Sequence, residues 1–215
     1  MDIIKKLAEE LNIGRHQAEA AVKLIDEGNT IPFIARYRKE ATGSLDDEVL
    51  RNLDERLKYL RNLEERKNQV IASIAEQEKL TPELERSIRD AQTLVAVEDL
   101  YRPYKPKRRT RAMIAKEKGL EPLADLISMQ MVKEPLLQAA AAYISQEKGV
   151  ETAEDAIQGA KDILAERISD NAEYRTYIRN ATMNKGVVQS SAKDEKAQSV
   201  YEMYYNYEEP VKKAA

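Results

Sequence analysis

The chain's 215 residues, 34% charged and 42% apolar with only seven glycines and seven prolines, suit one large domain or two small ones and exclude a low-complexity or fibrous chain. With no cysteine there are no disulfides, thiolate metal sites or cysteine nucleophiles, and a single histidine, His16, leaves little imidazole chemistry. No apolar run reaches membrane-spanning length and the first residues lack the apolar core of a signal peptide, so a soluble, cytoplasmic protein without membrane contact is expected.

Abundant Ala, Leu, Glu, Lys, Arg and Gln predict an all-α chain. Asp2 caps a first helix whose Ile3, Ile4, Leu7 and Leu11 share a face, and Asn12-Ile13-Gly14 stops it. A second helix over 15–27 aligns Ala18, Ala21, Val22 and Ile25 and ends at Gly28. The pair has the form of a helix-turn-helix, although a plain helical hairpin is the preferred reading. Pro32 opens a third helix over 33–38, which closes at Ala41-Thr42-Gly43. With Ser44 as cap, the spacing of Val49, Leu50, Leu53, Leu57, Leu60, Leu63, Val70, Ile71 and Ile74 predicts one amphipathic helix over about 45–79. At about 1.5 Å per residue it is roughly 50 Å long and must brace shorter helices or form one arm of an antiparallel coil.

Thr81-Pro82 starts a helix running to about Ala91, and Thr93 opens another through Leu94, Val95, Val97 and Leu100. Pro103 and Pro106 impose an irregular segment before helix returns over 111–118 and stops at Gly119. Helices over 122–129, 135–144, 153–168 and 171–183 follow, two of them opened by the reciprocal capping pairs Thr152/Asp155 and Asp170/Glu173. From Gly186 the character changes. Residues 187–191 read as a short strand or an extended linker, and 193–205 as a helix presenting Val200, Tyr201, Tyr204 and Tyr205 on one side. Residues 210–215 offer no natural ending, so a further domain is expected beyond them.

Little in the chain points to catalysis. Asp46-Asp47-Glu48 and Glu64-Glu65 belong to a solvated helix face, His16 is expected to face solvent or cap a helix, and phosphate loops, metal-spaced ligands and a Gly-x-Ser-x-Gly elbow are all missing. No enzyme, cofactor or metal is expected. Positive charge, by contrast, is pooled: residues 101–118 hold eight basic side chains against one acidic, +7 in a chain of net charge −3. Arg102, Lys105, Lys107, Arg108, Arg109 and Arg111 on this proline-stiffened bend can neutralise phosphates, and Tyr101 and Tyr104 can stack on unpaired bases. The competing role is structural, with the cations tying acidic helices together and the tyrosines in the core. A second basic group, Arg36, Arg38 and Lys39, lies among Ile31, Phe33, Ile34 and Tyr37, and there structural anchoring on nearby carboxylates is preferred to binding.

The strings Thr30-Ile31-Pro32-Phe33-Ile34-Ala35-Arg36-Tyr37-Arg38-Lys39-Glu40-Ala41-Thr42-Gly43-Ser44-Leu45-Asp46 and Asp99-Leu100-Tyr101-Arg102-Pro103-Tyr104-Lys105-Pro106-Lys107-Arg108-Arg109-Thr110-Arg111 resemble signature segments of the Tex-like family of bacterial transcription accessory proteins. The resemblance extends along nearly the whole chain, including 206–213. It implies an all-α, multi-helix orthogonal bundle with helix-turn-helix-like elements over 1–185, related in architecture to the core of a eukaryotic transcription elongation factor. Residues 186–215 would be an irregular extension leading to an RNase H-like domain. That domain, the helix-hairpin-helix elements and the RNA-binding OB-fold domain of the family have no counterpart in these residues. The expected role is a non-enzymatic module of a transcription accessory protein that binds RNA or DNA weakly and without sequence preference. The alternative is a protein-interaction scaffold that docks RNA polymerase components, or the rest of its own chain, through its acidic helices or through Tyr201, Tyr204 and Tyr205, with no nucleic-acid role.

Overall fold

A 30-residue helix organises the first part of the computed structural model, which describes residues 1–130, 134–194, 196 and 198–214. The chain divides into two compact units, Met1–Glu98 and Asp99–Ala215. Among the described residues it is essentially all α, with thirteen helices and one two-stranded sheet.

In the first unit, α1 (Ile3–Leu11) and α2 (Arg15–Asp26) are joined through Asn12, which adopts a left-handed conformation, with Gly14 at the N-cap of α2. Leu7, Ala18, Ala21 and Val22 bury their side chains in one cluster with Ile34 of α3 (Ile31–Tyr37), Leu45 and the leucines of α5 (Asp47–Glu76). Each fully buried leucine is worth about 1.5–3 kcal/mol relative to exposure, so Leu50, Leu53, Leu57, Leu60 and Leu63 make α5 the spine of this unit. The predicted cap at Ser44 is not used. Ser44 takes a positive φ of 63°, and the Asp46 carboxylate instead accepts the Val49 amide at 2.8 Å, so the helix starts two residues later than Ser44 would set it. Before that turn lies α4 (Lys39–Thr42), ended by Gly43 at φ 62°, a conformation that favours glycine. The Gln17 side chain accepts from the Gly14 amide and donates to the carbonyls of Thr42 and Gly43, fixing this turn against the start of α2.

Beyond α5, Thr81 caps α6 (Pro82–Asp90), which buries Ile88. The division between the units falls within α7 (Leu94–Tyr101), whose Leu94 amide donates to the Tyr59 hydroxyl.

The second unit is built on α11 (Ala153–Asp170), which packs on α8 (Arg111–Glu117), α9 (Glu121–Ser128) and α10 (Leu136–Ala141). Its buried residues are Ala156, Ala160 and Ile163. A Cβ on Gly159 would come within 2.3 Å of Leu120 Cδ1, so glycine is what permits this approach. The Thr152/Asp155 capping pair forms as expected, each side chain taking the other's amide at 3.1 Å. The Asp170/Glu173 pair is not what starts the next helix. Asn171 caps α12 (Ala172–Lys185) by accepting the Tyr174 amide, while Asp170 ends α11 with its carboxylate engaged elsewhere. No residue of α12 is buried.

The C-terminal stretch is more ordered than expected. β1 (Val187–Ser191) pairs antiparallel with β2 (Asn206–Pro210), from Val187 opposite Pro210 to Ser191 opposite Asn206. The predicted helix over 193–205 is replaced, in its described residues, by turns and a short 3-10 segment, Glu202–Tyr204; Glu195 and Ala197 lie outside the described residues. Pairing with β1 ends any helix at Tyr205, and α13 (Val211–Ala214) follows the sheet.

Candidate nucleic-acid interface

The basic bend of the second unit begins where α7 ends. Tyr101 is buried at that terminus, so it supports the fold and offers no ring for stacking; its carbonyl accepts the amides of Tyr104 and Lys105 at 2.9 and 3.0 Å. Tyr104 is half-buried. The next residues are pinned to the C-terminal end of α11, where the helix dipole favours cations. Lys107 Nζ lies 3.4 Å from Glu166 and hydrogen-bonds Asp170, and Arg102 Nε reaches the same Asp170 carboxylate at 3.3 Å. Arg102, Lys105, Pro106, Lys107 and Thr110 line a hollow of about 410 Å³ with these carboxylates.

Beyond the pin the chain turns outward. Thr110 caps α8 through the Met113 amide. Arg109 pairs with Glu117 at 2.8 Å, Lys116 with Glu121 at 3.5 Å, and Lys118 donates to the Gly149 carbonyl. Arg108 and Arg111 are exposed and make no ion pair among the described residues. The six predicted side chains of the bend therefore divide. Arg102 and Lys107 anchor it, Lys105 lines the hollow, Arg109 holds an exposed pair, Arg108 faces solvent, and Arg111 borders a second hollow of about 430 Å³ that Glu151, Asp155 and Asp162 also line. Exposed pairs such as Arg109–Glu117 are worth about 0–1 kcal/mol, so that guanidinium is easily exchanged to another anion.

The basic group of the first unit departs from its preferred reading. In α3 the residues Ile31, Ile34 and Ala35 face the core, which turns Phe33, Arg36 and Tyr37 outward. Arg36 and Lys39 are exposed without an ion pair among the described residues, and Arg38 lies over the Phe33 ring, its Cζ 5.4 Å from the centroid. Among the described residues neither Arg36, Arg38 nor Lys39 has the carboxylate partner expected of it. Arg36, Tyr37, Arg38, Lys39, Glu40 and Ala41 border an open hollow of about 390 Å³.

Of the terminal tyrosines, Tyr201 is 66% exposed, Tyr204 is exposed and meets Tyr207 edge-on at 5.7 Å, and Tyr205 is half-buried. Val200 and Met203 are exposed as well. The Tyr207 hydroxyl donates to Glu209, a bond that raises its pKa.

The sequence reading missed two buried charges. Lys67 is 2% exposed, and Asp99, 4% exposed, accepts from Arg175 at 2.6 Å and from Arg179. Lys67 falls on the α5 stripe midway between Leu63 and Val70, so the three-and-four spacing itself marks it as an inward position. Among the described residues no group of three or more carboxylate or histidine side chains is placed to hold a metal, and no helix is long and apolar enough to cross a membrane.

Comparison with known proteins covers both units. Residues 1–75 match the Tex-like protein N-terminal domain and residues 133–215 the Tex central region. The chain is 47% identical to protein tex of Bordetella pertussis over 212 residues, 98% of this chain and 27% of that protein. It is 44% identical to the transcriptional accessory protein Tex of Neisseria gonorrhoeae over 214 residues, 99% of this chain and 28% of the relative. It is 31% identical to the human S1 RNA-binding domain-containing protein 1 over 193 residues, 88% of this chain and 19% of the relative. The chain thus spans less than a third of the length of these relatives. Carrying both matches and this identity along nearly all of its residues, the chain belongs to the Tex-like family.

Proposed function

We propose that this chain is a non-enzymatic module of a transcription accessory protein and contributes a sequence-nonspecific nucleic-acid contact through its 101–118 bend. The observation that carries the reading is the pair Arg108 and Arg111, exposed and without an ion pair among the described residues, the first on a loop stiffened by Pro103 and Pro106 and pinned by Lys107 to Asp170, the second opening α8. A pinned loop presents its cations with little ordering cost. The relatives' names, a transcriptional accessory protein and an S1 RNA-binding domain protein, support the same direction.

Because Arg102 and Lys107 are occupied, the phosphates neutralised are fewer than the bend's charge suggests. With three contacts, from Arg108, Arg109 and Arg111, affinity for a single strand should fall with salt at a logarithmic slope near about −2. Fluorescence anisotropy with labelled oligouridine across a potassium chloride series tests this. The Arg108→Glu/Arg111→Glu variant should bind more weakly and with a shallower slope than the parent, and unchanged binding removes the bend from the interface.

A second reading is favoured by the exposed Val200, Tyr201, Met203 and Tyr204: a surface for a protein of the transcription machinery, RNA polymerase included. Loss of polymerase co-purification in Tyr201→Ala/Tyr204→Ala, with oligonucleotide affinity intact, would select it.

A further inference from the structure

We infer that Phe33 and Tyr37 form a base-stacking ledge, flanked by Arg36, Arg38 and Lys39, that takes a single-stranded nucleic acid segment. The inference rests on the nucleic-acid reading above and adds a site to it in the first unit. Four observations carry it. Tyr37 is 67% exposed and Phe33 37% exposed, both outside the core-facing stripe of Ile31, Ile34 and Ala35. The two rings are neighbours one helical turn apart, with centroids 5.3 Å apart and planes inclined at 46°, so the outer ring presents a free face. Arg38 covers the Phe33 ring and thereby holds a guanidinium beside the ledge. Arg36 and Lys39 make no ion pair among the described residues, and Glu40 is the one acidic residue lining the hollow beside them.

An aromatic face gives sequence-tolerant stacking to any unpaired base, and cations alongside it track the phosphates; single-strand binders combine these two elements. A duplex offers no such base face, so the ledge discriminates against paired nucleic acid. Stacking on an aromatic face does not depend on the sugar, so RNA and DNA single strands should bind alike. The site is also rigid: Ile34 is fully buried beneath it, and Gln17 fixes the turn after α4.

The chain contains no tryptophan, so Tyr37→Trp introduces a unique fluorophore at the ledge. Titrating this variant with oligouridine and with oligothymidine should quench its emission, and an annealed duplex should quench it far less. In anisotropy, Tyr37→Ala should lose about 5- to 150-fold in affinity, the range of one base stack, with its salt slope unchanged. Tyr37→Phe should retain binding, whereas Tyr37→Leu, which keeps apolar bulk without a π face, should behave like the alanine variant. Because Tyr37 is largely solvent-exposed, circular dichroism spectra should match the parent throughout. Parent-like affinity in Tyr37→Ala, or parent-like affinity in Tyr37→Leu, overturns the ledge while leaving the bend's role standing. Binding that survives Arg108→Glu/Arg111→Glu with full quenching removes the bend and supports the ledge. No affinity of the parent chain for any oligonucleotide overturns both, and loss of a protein partner by Tyr37→Ala at unchanged oligonucleotide affinity assigns the rings to a protein surface instead.

Discussion

The ammonium of Lys67, inside α5, donates to the main-chain carbonyl of Arg89 at 2.7 Å and so satisfies a group at the C-terminal end of α6. The same ammonium donates to Glu64 at 2.8 Å. Burial alone would raise the Glu64 carboxyl, but the hydrogen bonds from Lys67 and from the Met1 ammonium bring it below its ordinary value. Lys67→Met keeps the volume and leaves the Arg89 carbonyl without this donor, which should cost about 1–3 kcal/mol in urea unfolding. Lys67→Ala adds a cavity and should cost about 2–5 kcal/mol. If both variants unfold like the parent, the lysine does not close α6.

Acid should weaken the first unit. Arg56 hydrogen-bonds Glu10 in a two-pronged pair that links α1 to α5, and Arg61 does the same to Asp26 of α2; these bonds hold both carboxyls below their usual range. A carboxyl depressed in the folded state binds fewer protons there than in the unfolded chain. Its stabilisation is therefore complete above about pH 4–5 and is lost as pH falls through the folded value. Urea midpoints measured at pH 7, 5 and 3 should decline over the last interval. Glu10→Gln/Asp26→Asn should start lower at pH 7 and show a flatter acid limb.

Asp99 should control the order of α12. With no buried side chain of its own, this helix depends on the pairing of Arg175 and Arg179 with a carboxylate that is itself out of solvent. Asp99→Asn removes the charge and leaves two cations facing each other. Hydrogen exchange should then accelerate at least tenfold across 172–185 while α11 keeps its protection. Uniform change over the second unit would show instead that Asp99 supports the whole unit.

Gly159→Ala should lower the melting temperature despite alanine's better helix propensity. Propensity returns about 1 kcal/mol, and forcing a methyl into the buried Leu120 side chain costs about 1–3 kcal/mol. Adding Leu120→Ala to Gly159→Ala should cost less than the two single losses combined, because the new methyl then has room.

Apolar periodicity made the helical skeleton readable in the sequence, because burial of one stripe dominates local energetics; α1, α2, α5 and α11 lie close to their expected bounds. Caps were less legible where several candidates compete. Ser44 and Asp46 are both good N-cap types, and the left-handed backbone at Ser44 decides between them. Asp170 lost its capping role to Asn171 because two cations from 63 and 68 residues away claim its carboxylate, a long-range event without local signal. β2 was missed for the same reason, since its partner strand is separated from it by the whole 192–205 segment. At the candidate interface, charge density was readable but occupancy was not: composition cannot tell Lys107, folded onto Asp170, from Arg108 next to it. Nor does the string Ile31–Lys39 announce that Tyr37 points away from its apolar neighbours until α3 fixes their angles.

The bonds that Gln17 makes to Gly14, Thr42 and Gly43 involve only neutral groups. Ionic strength barely touches such contacts, so the scaffold behind Tyr37 should survive brine that strips every phosphate from the arginines. A concentrated-electrolyte titration thus separates adhesion by ring from adhesion by charge without a single substitution.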